Sequence, residues 1–309
     1  MFQYILDQSI SCSRPRALAF EAIRRLVVRF GDPVVSYRIN GRTVAINLAH
    51  EFPRCRWIQP SYSANLTRLC AFLREEFGIL RMIDVGANVG DSYCLAEPRP
   101  SDAYLLIEGD ARYFSLLERN TRSDPAVRRV RALVSDKATS SGALLAENGN
   151  ARVVPTADTE ADDAPWITLD AILDADAVFA APHLLKTDVE GFDTRVLMGA
   201  RGHIARTSPV LFFEHYPRLL RQAGDSDTAI FAELARRGYS EAILYDNLGS
   251  LVATAATSDE DLVGRLVSQA RRKRKYYYDV CCFPDVFASA RQRFIEAERR
   301  IASGRLPAR

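Results

Sequence analysis

The chain has 309 residues, enough for one large domain with an appendage or for two small ones. Hydrophobic residues make up 48% and charged residues 26%, which excludes a disordered or fibrous chain. Lysine and arginine total 41 against 39 acids, a formal net charge of +2, so wholesale nucleic-acid binding is not expected.

The opening Met1–Asp7 lacks a basic lead and carries Asp7 where an apolar stretch would be needed, so no secretory signal is expected. No apolar run reaches the ~20 residues that span a bilayer. Cysteines 12, 55, 70, 94, 281 and 282 show no C-x-x-C spacing, and Cys281 and Cys282 sit in an apolar run typical of buried thiols. A reduced, cytoplasmic setting without structural zinc is the expectation.

In chain order, Pro15–Arg29 has helical periodicity, with Leu18, Ala22 and Leu26 on one side and arginines elsewhere. Val34–Ile39 and Thr43–Leu48 read as strands joined by Asn40-Gly41, a strong hairpin signal. An irregular stretch with His50, Pro53 and Pro60 precedes a helix over Asn65–Phe77. Residues 1–76 therefore form an N-terminal cap of helix, hairpin and helix. Residues 77–285 carry the main domain, and 286–309 a basic C-terminal helix and tail.

The main domain begins at Arg81-Met-Ile-Asp-Val-Gly-Ala-Asn-Val-Gly-Asp91, where the short apolar strand Met82–Val85 runs into a turn of small residues. Gly86 and Gly90 bring bare backbone close to a ligand, and Asn88 tolerates the left-handed conformation better than most residues. The next strand, Ala103–Asp110, carries Glu108 about 20 residues past the glycines, where a carboxylate accepts from the two hydroxyls of a ribose. The pair favours an adenosine-containing ligand.

Strand and helix then alternate, the signature of a parallel sheet wound on both faces. A helix over Phe114–Asn120 is followed by a strand over Val127–Val134 that ends at Ser135-Asp136. Ala138–Pro165 is small and polar, with Asp158, Glu160, Asp162 and Asp163, and reads as a solvated excursion with one edge hairpin. A short helix over Thr168–Leu173 precedes the strand Leu184–Gly191, and a helix follows through Val196-Leu197. Pro209–Tyr216 is a buried strand, Ala229–Arg237 a helix stopped by Gly238, and Ala242–Tyr245 a further strand. Tyr276–Phe283 is the last strand and Ala288–Ser303 a basic amphipathic helix.

Four segments stand together: Ile83-Asp-Val-Gly-Ala-Asn-Val-Gly90, Ile107-Glu-Gly-Asp110, Leu185-Lys-Thr-Asp-Val-Glu-Gly191 and Val196-Leu-Met-Gly-Ala200. In this order and spacing the chain resembles the FkbM family of S-adenosylmethionine-dependent methyltransferases over residues 75–285. The resemblance implies a Rossmann-like class I methyltransferase fold and methyl transfer to oxygen on a sugar, glycan or other small acceptor. Many relatives have Pro after Ile-Glu; here Gly109-Asp110 follow and add a carboxylate beside the ribose position.

That resemblance implies roles. Asp84 or Asn88 would accept from the cofactor's ammonium, Glu108 from its ribose, and Asp136 from its adenine amino group, with Gly86 and Gly90 against the cofactor. His215, at a strand end and with a pKa naturally near working pH, is the first candidate for the base that takes the acceptor's proton. Alternation places Asp188 and Glu190 on one face, where they would orient the acceptor or support the sulfonium, and Asp188 counts with the cofactor residues too. Glu214 points opposite to His215. Asp188, Glu190 and Glu214 also have the hard oxygens of a divalent-metal site, but no metal is assigned. His50 lies on the cap, His183 and His203 read as structural, and Phe212-Phe213 as core. The run Arg271–Lys275 suits a weak contact with an anionic surface. A nicotinamide-dependent oxidoreductase is disfavoured because the full Gly-x-Gly-x-x-Gly spacing is missing. A non-catalytic module that keeps the fold is the third reading.

Overall fold

A computed structural model describes residues 1–11, 14–138, 143–147, 150–154, 164–174, 176–272 and 276–304. Asp158, Glu160, Asp162, Asp163, Cys12 and the 273–275 part of the basic run lie outside the described residues.

The cap begins with α1 (Phe2–Ser11), a helix without an expectation in the sequence, and α2 (Arg14–Phe30). β1 (Val34–Ile39) and β2 (Arg42–Asn47) form the expected hairpin, with Asn40 and Gly41 both at positive φ as a two-residue turn of this hand requires. α3 (Phe52–Ile58) and α4 (Ala64–Phe77) follow, and Gly78 ends α4 in the left-handed conformation.

β3 (Arg81–Val85), α5 (Asp91–Leu95), β4 (Ala103–Glu108), α6 (Ala111–Thr121) and β5 (Val127–Arg131) start the alternation. The expected strand over 127–134 is broken at Ala132. Leu133 donates to Pro165 O instead of continuing beside β4, so β6 (Leu133–Val134) leaves the main sheet. The hairpin of β7 (Ala143–Glu147) and β8 (Asn150–Val154) comes next, and β9 (Trp166–Ile167) pairs with β6. The remaining elements are α7 (Leu169–Asp174), β10 (Leu184–Thr187), α8 (Asp193–Gly199), α9 (Arg201–Thr207), β11 (Val210–His215), α10 (Pro217–Gln222) and α11 (Ala229–Arg236). They end with β12 (Glu241–Asp246), β13 (Leu251–Ala256), α12 (Glu260–Arg272), β14 (Tyr278–Cys282) and α13 (Ala288–Ala302).

The main sheet runs β13-β12-β14-β11-β10-β3-β4-β5. β5, β4, β3, β10 and β11 are parallel, β14 is antiparallel to both its neighbours, and β13 is an antiparallel edge. The strand order reverses between β3 and β10, so a crevice opens beyond their carboxyl ends. In open α/β sheets that is where ligands sit.

Two apolar layers flank the sheet. On one, Met82, Tyr104, Leu184 and Phe212 pack with Val35, Ile46, Leu66 and Leu73 of the cap and Phe294 of α13. On the other, Ile83, Leu105, Leu185 and Phe213 pack with Leu197, Phe231 and Val267. Phe212 and Phe213 are thus both core, on opposite faces. Period-2 alternation assigns every strand residue to the cap face or the far face.

The helix α2 differs from the naive reading of its pattern. Its buried side carries Ala17, Glu21 and Arg24, while Leu18, Ala22 and Leu26 face outward. Arg24 donates to both Glu21 oxygens, to Glu51 and to the Leu48 carbonyl, so a polar network ties this helix to the hairpin.

Candidate active site

The turn after β3 is held by positive φ at Gly86, Asn88 and Gly90. At Gly86 a Cβ would lie 2.0 Å from the Asp188 carbonyl oxygen, so the residue is glycine because the turn after β10 passes there. At Gly90 it would press on Leu117 at 3.1 Å. Both glycines therefore answer to neighbouring protein as well as to their backbone conformation.

Glu108 ends β4 on the cap face, one position past the Val85–Ile107 pair. One carboxylate oxygen accepts from Asn88 N at 2.9 Å, the other from Asp110 N at 2.8 Å. Burial pushes its pKa up to about 7 against the backbone donors of Asp110, Asn88 and Gly109. A carboxylate offers about four lone-pair sites, so three donors leave acceptor capacity. The additional acid at 110 is a helix cap: Asp110 accepts from Arg112 N and Tyr113 N and pairs with the Arg112 guanidinium at 2.8 Å.

Further along the cap face the strand ends turn ionic. Asp84 is fully buried, and the equally buried Lys186 in register on β10 donates to its Oδ1 at 2.9 Å. Asp84 Oδ2 has no partner. Burial opposes the Lys186 charge, but Asp84 and Asp188 outweigh it and raise its pKa. Asp188 is exposed, 3.5 Å from Lys186 Nζ.

β10 stops at Thr187, so Asp188 and Glu190 lie in a turn rather than alternating along a strand. Glu190 and Gly191 both have positive φ. Asp193, buried at the start of α8, holds that turn by accepting from Thr187 Oγ1, Val189 N and Gly191 N. Burial raises its pKa to about 7.

Glu214 of β11 and Asp279 of β14 stand directly opposite each other on the cap face. Glu214 is 7% exposed, and its Oε1 has no partner. Burial and the nearby Glu190 and Asp188 push its pKa well above the carboxylate range. Burial also lifts Asp279 to about 7, although Asn65 of α4 donates to its Oδ2 at 2.9 Å. The Tyr62 and Tyr277 hydroxyls meet nearby at 3.5 Å. Burial disfavours the charged form of both carboxyls.

His215 occupies the far face. It is fully buried, its ring meets Phe231 edge-on at 5.1 Å, and Nε2 lies 2.9 Å from the Asp227 carbonyl oxygen. Burial lowers its pKa to about 4. Asp136 follows β6, outside the main sheet, half-buried, with its Oδ1 accepting from the Ser135 hydroxyl at 3.1 Å. His50 is buried in the cap, where Nδ1 accepts from Phe52 N at 3.2 Å, and burial lowers its pKa. His183 accepts from Arg81 N and stacks on Phe77, and His203 is buried in α9.

The structure thus brings Gly86, Asn88, Glu108, Asp84, Asp188 and Glu190 to one edge, and leaves His215 on the opposite face. The sequence reading gave no role to Lys186, Asp279 or Asp193. Lys186 and Asp279 were signalled as lone charges inside apolar strand runs; nothing local marks Asp193. Among the described residues no group of three or more His, Cys, Asp or Glu is arranged to hold a metal ion, and no helix is long and apolar enough to cross a membrane.

Residues 84–241 match the methyltransferase FkbM domain. The chain belongs to the FkbM methyltransferase family. The doubly wound, mostly parallel sheet is the class I methyltransferase fold that the family implies. Among solved structures, the methyltransferase FkbM from Methylobacillus flagellatus KT is 20% identical, with a TM-score of 0.35 over 50% of this chain. The chain spans 37% of that protein's length. The O-methyltransferase TomG from Streptomyces achromogenes, involved in tomaymycin synthesis and solved with SAM, is 11% identical; the match covers 72% of this chain and 79% of TomG, with a TM-score of 0.40. Precorrin-6y C5,15-methyltransferase from Geobacter metallireducens GS-15 is 11% identical, covering 70% of this FkbM chain and 87% of its own, with a TM-score of 0.37. No curated protein sequence matches the chain.

Proposed function

We propose that this FkbM protein transfers a methyl group from S-adenosylmethionine to a hydroxyl oxygen of a small acceptor, a sugar, glycan or natural product. The observation that carries the reading is Glu108, fixed beside the Gly86–Gly90 turn at the switch point with acceptor capacity to spare. Glu108 would hold the ribose hydroxyls, Asp84 or Asn88 the ammonium, and Asp136 the adenine amino group. When bound, the cofactor supplies an electrophilic methyl group on a sulfonium.

Methyl transfer is an in-line displacement, so the chain's main task is to hold the acceptor oxygen at attack distance with water excluded. An alcohol is weakly acidic and gains from a positioned base. Glu214, with an unpartnered oxygen on the cap face opposite Asp279, suits that role. His215 does not suit it, because its ring is enclosed on the far face with Nε2 against Asp227 O. Asp188 and Glu190 would orient the acceptor or face the sulfonium.

Calorimetric titration with S-adenosylhomocysteine tests the cofactor half. Wild type binds at roughly micromolar affinity, and Glu108→Ala weakens binding at least about tenfold. Unchanged affinity in Glu108→Ala would overturn the ribose role. Binding of a nicotinamide dinucleotide instead would favour an oxidoreductase.

A further inference from the structure

Helix α2 turns an apolar face to solvent. Leu18, Ile23, Leu26 and Phe30 are 66%, 43%, 58% and 84% exposed, and at about 100° per residue they fall within an arc of roughly 140°. Tyr4 of α1, 53% exposed, meets Phe20 of α2 edge-on at 5.7 Å, and Met1, just before α1, is 86% exposed. The opposite side of α2 is already committed through Glu21 and Arg24, so rotation cannot bring the exposed side chains into the core. A contiguous exposed patch of this kind marks a contact surface.

The charge around it selects the partner. α2 carries Arg14, Arg16, Arg24, Arg25 and Arg29 against one acid, Glu21, which is buried and bonded to Arg24 and Arg25. Arg16, Arg25 and Arg29 are exposed. An apolar stripe edged by arginines lets a helix lie in a lipid interface, with acyl chains taking the apolar side chains and anionic headgroups the guanidiniums. A second copy packed about a two-fold axis would face the same patch with the same arginines, which repel.

We propose that the α1–α2 face docks on an anionic phospholipid bilayer, lying in its headgroup layer. The surface acts independently of the methyl-transfer reading, and its test needs neither cofactor nor acceptor.

The full chain is floated with vesicles of phosphatidylcholine and phosphatidylglycerol in equal parts, and with phosphatidylcholine alone. Wild type floats with the mixed vesicles, and added salt weakens the association. L26D/F30D loses at least about tenfold in partitioning. R16E/R29E, which leaves the apolar side chains in place, loses a similar factor on mixed vesicles. It keeps the test decisive if the aspartates disturb the helix, which circular dichroism reports. Substituting Arg271 and Arg272 of α12 changes nothing. The proposal falls if wild type stays unbound to mixed vesicles, or if L26D/F30D floats like wild type with its helix content intact. It also falls if the wild type is a lipid-indifferent dimer that L26D/F30D dissociates.

Discussion

Glu214 and His215 are adjacent in sequence and end the same strand, yet they meet opposite worlds. On the cap face, the strand ends carry Glu108, Asp84, Lys186, Glu214 and Asp279, with polar groups of α4 and the Tyr62 loop brought up against them. On the far face, His215 closes an apolar layer under α11, its ring against Phe231. A histidine has the better intrinsic pKa for a base, but burial has moved it to about 4 and a carbonyl engages Nε2. The face, not the residue type, decides what surrounds each side chain.

The most severe way to break the cap face is Gly86→Ala, which forces a methyl onto the Asp188 carbonyl in a backbone conformation that favours glycine. A loss of about 4 kcal/mol or more is expected in urea unfolding. A loss below about 1 kcal/mol would mean the turn adapts.

Next comes Glu214→Gln. On any acceptor that wild type methylates, the rate should fall by about a hundredfold or more, with S-adenosylhomocysteine affinity and stability unchanged. His215→Gln should show the reverse, a rate within about tenfold of wild type and a stability loss of about 1–3 kcal/mol from the disturbed buried contact. If the histidine variant loses the rate and the glutamate variant keeps it, the roles of the two faces are exchanged.

The two faces also titrate with opposite signs. Glu108, Asp193 and Asp279 are raised to about 7, so the folded chain binds more protons than the unfolded one between the ordinary carboxylate range and about 7. Their stability is full below that window and is lost as pH rises through it. His215 is lowered to about 4, so its contribution is full above the ordinary histidine value and is lost as pH falls toward about 4. The two windows coincide, so the slopes oppose, and three carboxyls outweigh one histidine: urea midpoints should fall as pH rises from about 4 to about 7. Asp279→Asn should make that fall shallower, and removing the histidine at 215 should make it steeper. A slope that neither variant alters would contradict this.

The smallest expected effect concerns the link between cap and sheet. Asn65→Ala removes the donor to Asp279, and a loss of about 1 kcal/mol is expected, with the Asp279 pKa rising further. Carboxyl infrared difference spectra would report that rise, and an unmoved band would mean Asn65 does not act on the pair.

The sequence by itself determined the alternation of strands and helices, the Asn40-Gly41 hairpin and the family, because periodicity, turn chemistry and motif spacing are local properties of a chain. It also marked the position of Glu108, since a strand end at fixed distance from a glycine turn reaches a predictable edge. Only the tertiary structure decided which side of each element was used. The periodicity of α2 is legible, but Leu18 and Leu26 face outward because Glu21 and Arg24 find Glu51 and the Leu48 carbonyl across the hairpin. The strand at 127–134 breaks because Pro165, far along the chain, offers Leu133 an acceptor. Glu214 ends up buried with an unpartnered oxygen, facing Asp279, because β14 returns antiparallel beside β11. Such pairings join residues tens of positions apart, and no local pattern encodes which distant partner will arrive.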